Sequence, residues 1–381
     1  MKPCCPHGRI DGQASGAFDG AMTDLQSPLS LARGPAWKNR FMLAPLTNLQ
    51  SHADGVLSDD EFRWLVKRAE GGFGLTMTCA AHVQAKGQGF PGQLGIFGDK
   101  HLPGLTRLAA ALNKTGTHSV VQLHHAGMRA PAELIGEAPH CPSANDEFKA
   151  RAMTLDEVKA SRDAFIAAAR RAETAGFHGV ELHGAHGYLI CQFLSAEVNQ
   201  RDDEYGGSFE NRARFLYECI EGVRAECRKD FSMGVRLSPE RFGMDMAEII
   251  ALAGALLKDD RIDYLDMSLW DSFKAPVDAA FKGKSLVEHF GALPRGRTRL
   301  GAAGKILTGS DCQRAMDAGL DFVVIGRGAI LHHDFPRKVA TDPAFQPIAL
   351  PVPEAHLKAE GLGPAFLGYM KTWKGFVAEP A

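Results

Sequence analysis

The sequence predicts an α/β protein built as a single (β/α)8 barrel with long loops and N- and C-terminal extensions. Three observations lead there. Short apolar runs rich in β-branched residues recur eight times along the 381 residues. Stretches with apolar residues three and four apart lie between most of them. Helix starts are marked by side chains that satisfy the first orphan amides.

The expected strands, in chain order, are 41–44, 75–80, 119–123, 179–183, 233–237, 264–268, 305–309 and 322–326. Val158, Phe165, Ala169 and Ala172 show the spacing of one buried helical face. Ser58 with Glu61, Thr154 with Glu157, Asp245 with Glu248 and Ser310 with Gln313 match or approach the capping pattern. Continuous apolar strands alternating with amphipathic helices indicate a parallel sheet covered by helices. Eight such units close a barrel, which needs about 250 residues. The excess falls in an N-terminal extension (1–28), in the loops 81–99 and 126–153, and in a C-terminal tail (341–381). The barrel itself is expected over 29–340.

A doubly wound open sheet is the rival architecture. Gly87 to Gly92 spells its glycine fingerprint, but Pro91 and the glycines that follow leave no helix to hold a pyrophosphate.

Composition narrows the function. A net charge of −2 gives no case for nucleic acid or an anionic membrane surface. No run approaches the ~18 apolar residues of a spanning helix, and no apolar stretch in the first 26 residues serves as a signal-peptide core. A cytoplasmic protein is expected. Its eight cysteines form no Cys-x-x-Cys pair, so reduced thiols are expected. Cys4, Cys5 and His7 are their one cluster, on a tail where metal binding is not expected.

In such barrels the chemistry sits at the C-terminal strand ends. Those ends offer Pro45, Leu46 and Thr47; Gln122, His124 and His125; His183, His186 and Tyr188; Arg236; Trp270; Thr308, Gly309 and Ser310; and Gly326, Arg327 and Gly328. Glycines followed by helix starts at the last two ends make an anion site, because amides and the helix dipole point at it. Arg327 adds a permanent forked charge. A phosphorylated cofactor fits better than a bare sugar phosphate. Gln122 both donates and accepts, as a pyrimidine-like edge requires. Arg236, on an inward strand, needs an anion or strong acceptor. An internal ion pair with Glu181 or Asp266 serves it equally well.

Residues 183–215, HGAHGYLICQFLSAEVNQRDDEYGGSFENRARF, closely resemble the signature of the Old Yellow Enzyme family of FMN-dependent ene-reductases. NRFMLAPLTN (39–48), VVQLHHAG (120–127), GVRLSPE (234–240) and the terminal GR (326–327) extend the resemblance over roughly 30–340. It implies FMN across the barrel mouth, reduced by NADPH or NADH. Pro45 and Leu46 would border the ring and Thr47 its O4 side. Gln122 would meet the pyrimidine edge, Arg236 the N1–C2 region, and Gly309, Ser310, Gly326 and Arg327 the phosphate. His183 and His186 would bind the carbonyl or nitro oxygen of an electron-poor alkene, and Tyr188 would give the proton. Trp270 and Phe273 are expected to wall the substrate pocket, with a purely structural role an equally good reading.

The resemblance also implies the threonine type of redox tuning, since some relatives carry cysteine at the position of Thr47. Larger relatives add an iron–sulfur motif and a second domain. No cysteine follows Cys312, so neither is expected. In some relatives a C-terminal segment reaches a partner's active site, which would involve Tyr369, Lys371 and Trp373 in a homodimer. An aromatic tail on its own barrel is as good a reading.

The chemistry then reads as hydride transfer to the β-carbon and protonation at the α-carbon, with paired imidazoles as an oxyanion site. Gly184 and Gly187 let the loop fold back. Asn199, Arg201, Tyr205, Asn211 and Arg212 are expected to brace the long loop. Two histidines three apart suit a metal poorly without a third ligand, and none is expected. Reduction of nitro compounds or nitrate esters on the same scaffold is one alternative. A flavin-free aldolase or isomerase is another, but Lys305, its best candidate base, is expected at the wrong end of strand seven.

Overall fold

The computed structural model describes residues 24–379. Most of the expected N-terminal extension, with Cys4, Cys5 and His7, lies outside them.

Eight parallel strands close on themselves. They are β1 (Phe41–Leu43), β2 (Leu75–His82), β3 (His118–His124), β4 (Gly179–Gly184), β5 (Ser232–Leu237), β6 (Tyr264–Ser268), β7 (Arg299–Ala303) and β8 (Phe322–Ile325). Each pairs with its sequence neighbours among the eight, and β1 pairs with β8. Helices cross outside, buried along one stripe. The helix Leu155–Thr174 buries Val158, Phe165, Ala169 and Ala172, and Thr154 and Glu157 close a full capping box at its start.

The seventh strand corrects the sequence reading. It is Arg299–Ala303, not 305–309. The sequence Arg-Leu-Gly-Ala-Ala has little apolar bulk, because the inside of the barrel is filled from elsewhere. A Cβ on Gly301 would come within 2.1 Å of the Phe322 ring, and one on Gly234 would meet Tyr264 at the same distance. Trp37 packs against both rings, with centroids 4.9 Å and 5.9 Å away, and closes the barrel floor. Bulk from the neighbours forces small residues on β7. Ile306 and Leu307 therefore lie in the loop beyond β7. The helix Gly309–Asp317 is capped by Thr308 with Asp311, not by Ser310 with Gln313.

The loop 126–153 carries a small two-stranded sheet, His140–Cys141 with Arg151–Ala152. Asn199 donates to the carbonyls of Phe193 and Tyr205, and Arg201 to those of Pro142 and Met153. Arg212 pairs with Glu248. After residue 341 the helices Glu354–Ala359 and Pro364–Lys371 lie on the chain's own barrel. Phe366 packs edge-on against Trp64 at 5.4 Å, and the Gly363 amide donates to Gln50 Oε1 at 2.9 Å. Tyr369 packs on Trp373, and Lys371 pairs with Glu354. The described cysteines are free and buried. Among the described residues no helix is long and apolar enough to cross a membrane.

Candidate active site

The strand β4 delivers His183 to the barrel mouth, and the chain then doubles back. Gly187 takes a left-handed φ of 69°, and a Cβ there would press on the Phe242 ring at 3.0 Å. His186 itself adopts φ 60°, a conformation rare outside glycine that is held here by its partners. Its amide donates to Ser238 Oγ at 3.0 Å.

The hydrogen bonds fix the tautomers. The Ala185 amide donates to His183 Nδ1 at 3.2 Å, so the proton of His183 sits on Nε2. That N–H faces His186 Nδ1 at 3.3 Å. His186 in turn carries its proton on Nε2 and donates to Ser268 Oγ at 2.7 Å. The two imidazoles therefore form a relay from β4 to β6 and do not converge on one point. The left-handed turn at His186 aims its Nδ1 back at His183. Burial, with Arg236 adding to it, holds both rings well below the ordinary histidine range, so both are neutral N–H donors.

A third imidazole belongs to this group. The Gly89 amide donates to Gln93 Oε1 at 2.7 Å, which orients the Gln93 amide. Its nitrogen donates to Ala80 O and to His124 Nδ1 at 3.0 Å, so the His124 proton lies on Nε2. Burial pushes His124 down to about 3. Its ring stands 4.3 Å from the Tyr188 ring in an edge-to-face contact, and Tyr188 meets His183 at 5.1 Å. Burial raises the Tyr188 phenol above its ordinary value, against the opposing charge of Arg129. The Arg129 guanidinium lies 5.2 Å over that ring and donates to the His186 carbonyl at 2.7 Å.

Deeper in the barrel, Gln122 Nε2 donates to Glu181 Oε1 at 2.8 Å. Gln122 Oε1 is buried and has no partner. Arg236 Nε lies 3.0 Å from Asp266 Oδ2, so the internal ion pair is real, although the N–H is not aligned as a hydrogen bond. Pro45, Leu46 and Thr47 follow β1, half-buried, with a Leu46 methyl 3.6 Å from where a Gly326 Cβ would stand.

After β8 comes Gly326, and Arg327 starts a short helix whose first amides have no intrahelical acceptor. The Gly309 amide is engaged by the Phe345 carbonyl at 2.9 Å, and Ser310 is exposed. The residue at the true end of β7 is Gly304, with φ 151°. Lys305 follows it at the mouth end of β7, which corrects its expected place; its Nζ lies 2.8 Å from Asp271. Trp270 is 63% exposed at φ 62°, with the Arg241 guanidinium 4.5 Å over its ring. It lines a pocket with His186, Ser268, Arg241 and Phe242. Phe273 lies elsewhere, under Arg314.

Sequence reasoning missed Ser268, Gln93, Arg129 and Phe242. Ser268 carried a signal, as the last residue of an expected strand. The others come from loops and have none.

The class of protein follows from what such a mouth accepts. A buried amide oxygen without a donor, with a guanidinium two strands away on the same barrel wall, asks for a ligand with an N–H and an adjacent carbonyl on one edge. The pyrimidine edge of a flavin offers both. Fold and site define a barrel flavoprotein oxidoreductase. The chain belongs to the NADH:flavin oxidoreductase / NADH oxidase family, which matches residues 24–344, and within it to the Old Yellow Enzyme group. It is similar to the probable NADH-dependent flavin oxidoreductase YqiG of Bacillus subtilis, 35% identical over 83% of this chain and 87% of that one. The NADPH dehydrogenase of Bacillus pumilus is 34% identical over 84% and 95%. Among solved structures, the Old Yellow Enzyme homologue of Zymomonas mobilis superposes with a TM-score of 0.75 at 29% identity, covering 91% of this chain and 99% of that one. Morphinone reductase gives 0.74 at 27% identity, covering 89% and 94%. The protein is an NAD(P)H-dependent FMN oxidoreductase.

Proposed function

We propose that the enzyme reduces activated C=C bonds of enones, enals and nitroalkenes. The observation that carries this reading is the set of neutral donors at the end of β4. His183 presents its Nε2–H to the His186 ring, His186 gives its own N–H to Ser268, and Tyr188 stands beside them as a protonated phenol. A substrate oxygen entering between the imidazoles takes the His183 Nε2–H in place of His186 Nδ1, while His186 keeps its own N–H on Ser268. That bond strengthens as negative charge grows on the oxygen. Tyr188 then supplies the α-proton, and its raised phenol value keeps that proton in place at neutral pH. Bound FMN supplies the hydride. Gln122 and Arg236 would hold its pyrimidine edge, Pro45, Leu46 and Thr47 its other face and O4 side. Gly326 and Arg327, with Ser310 from the first turn of the helix after β7, would hold its phosphate; Gly309 contributes position more than an amide.

The aldolase reading loses its earlier objection, since Lys305 lies at the mouth end of β7. It meets another. Lys305 is half exposed and paired with Asp271, where a carbonyl-attacking amine needs a dry, unpaired setting.

Anaerobic half-reactions test the proposal. The purified protein should be yellow, bleach with NADPH or NADH, and regain colour with cyclohexenone. Bleaching without recovery on any enone, enal or nitroalkene would overturn alkene reduction.

A further inference from the structure

Below the mouth, four strands place polar side chains in one dry layer. Gln122 on β3 pairs in register with Glu181 on β4, and Arg236 on β5 with Asp266 on β6. Glu181, Asp266 and Tyr264 are fully buried, Gln122 all but fully. Both Asp266 carboxyl oxygens lack a well-aligned hydrogen-bond partner, as does Glu181 Oε2, whose one neighbouring donor is the neutral Tyr264 hydroxyl.

The charges in this layer do not balance if both carboxyls are ionised. Arg236 is one cation, and its contact is with Asp266. The other groups facing the pair are neutral: Thr78 from β2, Gln122 from β3, His183 from β4 and Tyr264 from β6. From β1, β7 and β8 come Met42, Gly301 and Val324, with Ala44 just past β1. Asp263, at the foot of β6, is matched by Arg33 and Arg224. A second uncompensated carboxylate in such a place is far more costly than a carboxylic acid.

We propose that Glu181 and Asp266 hold one exchangeable proton between them. Through Gln122 and Arg236 that proton sets the charge presented to the edge of the bound cofactor. Both are positioning residues. Burial raises both carboxyls, with the Asp266 charge adding to it at Glu181 and Arg236 opposing it at both, which agrees with one proton retained by the pair. Asp266 then balances Arg236, and neutral Glu181 accepts from Gln122 Nε2, leaving Gln122 Oε1 turned toward the mouth. In alkali the proton leaves to solvent. The layer gains a negative charge under the ring, which opposes the charge the ring acquires on reduction. The coupling rests on the flavin reading; the shared proton does not.

The test has two arms. Infrared spectra of the apoprotein should show a protonated-carboxyl band at pH 6–7 that titrates away in alkali. Glu181→Gln and Asp266→Asn should each lose it, because either remaining carboxyl becomes the sole, ionised partner of Arg236. Both substitutions are isosteric, and melting curves report whether the variants fold. If either does not, the wild-type band and its titration decide. No wild-type band, or a band that persists in both variants, would overturn the shared proton. In the holoprotein, the flavin potential should carry an extra pH slope across the same range, absent from both variants. Parallel slopes in all three proteins would overturn the coupling. A wild-type protein with the band that takes up no FMN would overturn the coupling and the flavin reading together, with the shared proton standing.

Discussion

His186 Nε2 lies 2.7 Å from Ser268 Oγ, tying the loop after β4 to the last residue of β6 across the intervening strand. This bond fixes both the tautomer and the tilt of an imidazole whose backbone is already in the left-handed region. Ser268→Ala should weaken binding of a phenolic ligand by about 1 kcal/mol, roughly fivefold. FMN content should not change. A spectral titration of the long-wavelength band reads this, and unchanged affinity would mean that Ser268 does not orient His186.

Tyr188 is the acid in the proposed reaction. Positioned acids contribute about 10²–10⁴-fold, so Tyr188→Phe should slow oxidation of the reduced enzyme by an enone to that extent. Reduction by nucleotide should be unaffected. Stopped-flow measurement of the two half-reactions separates these, and equal loss in both would count against an acid role.

The guanidinium of Arg327 begins the helix after β8. Its replacement by alanine removes a charge-assisted bond to phosphate of about 1.5–3 kcal/mol, roughly 10- to 100-fold in FMN affinity. Fluorescence recovery on dilution measures the released flavin. Full retention would place the phosphate elsewhere, for instance at the Gly304 turn.

Stability should fall on the acid side. Burial depresses His118 to about 3, with its Nδ1 donating to Pro35 O and its Nε2 accepting from Ser232 Oγ. A folded-state value below the unfolded 6.5 gives stability that is complete above 6.5 and lost as pH falls toward 3. One such group contributes up to about 1.4 kcal/mol per pH unit in that window. Denaturant unfolding of the apoprotein between pH 7 and 4 should show the decline. His118→Asn, which keeps a donor for Pro35, should make it shallower; an identical slope would remove His118 from the account.

The eight-unit rhythm was legible because seven strands carry their own apolar bulk. The strand β7 was not, since its Gly301 is small to admit Phe322 from the next strand. The ends of β3, β4 and β5 were legible because their polar residues interrupt otherwise apolar runs. Gln93 and Arg129 were not. They sit in loops whose path is set by what they touch, and nothing in their local spacing announces a partner.

The sequence alone determined the barrel and the residue types at its mouth, because period and polarity are local properties of the chain. Only the tertiary structure decided which nitrogen of each imidazole bears a proton, that Arg236 contacts Asp266, and that Gly309 spends its amide on Phe345. Those outcomes depend on distances between strands far apart in the chain, and a hydrogen bond is won or lost within a few tenths of an ångström.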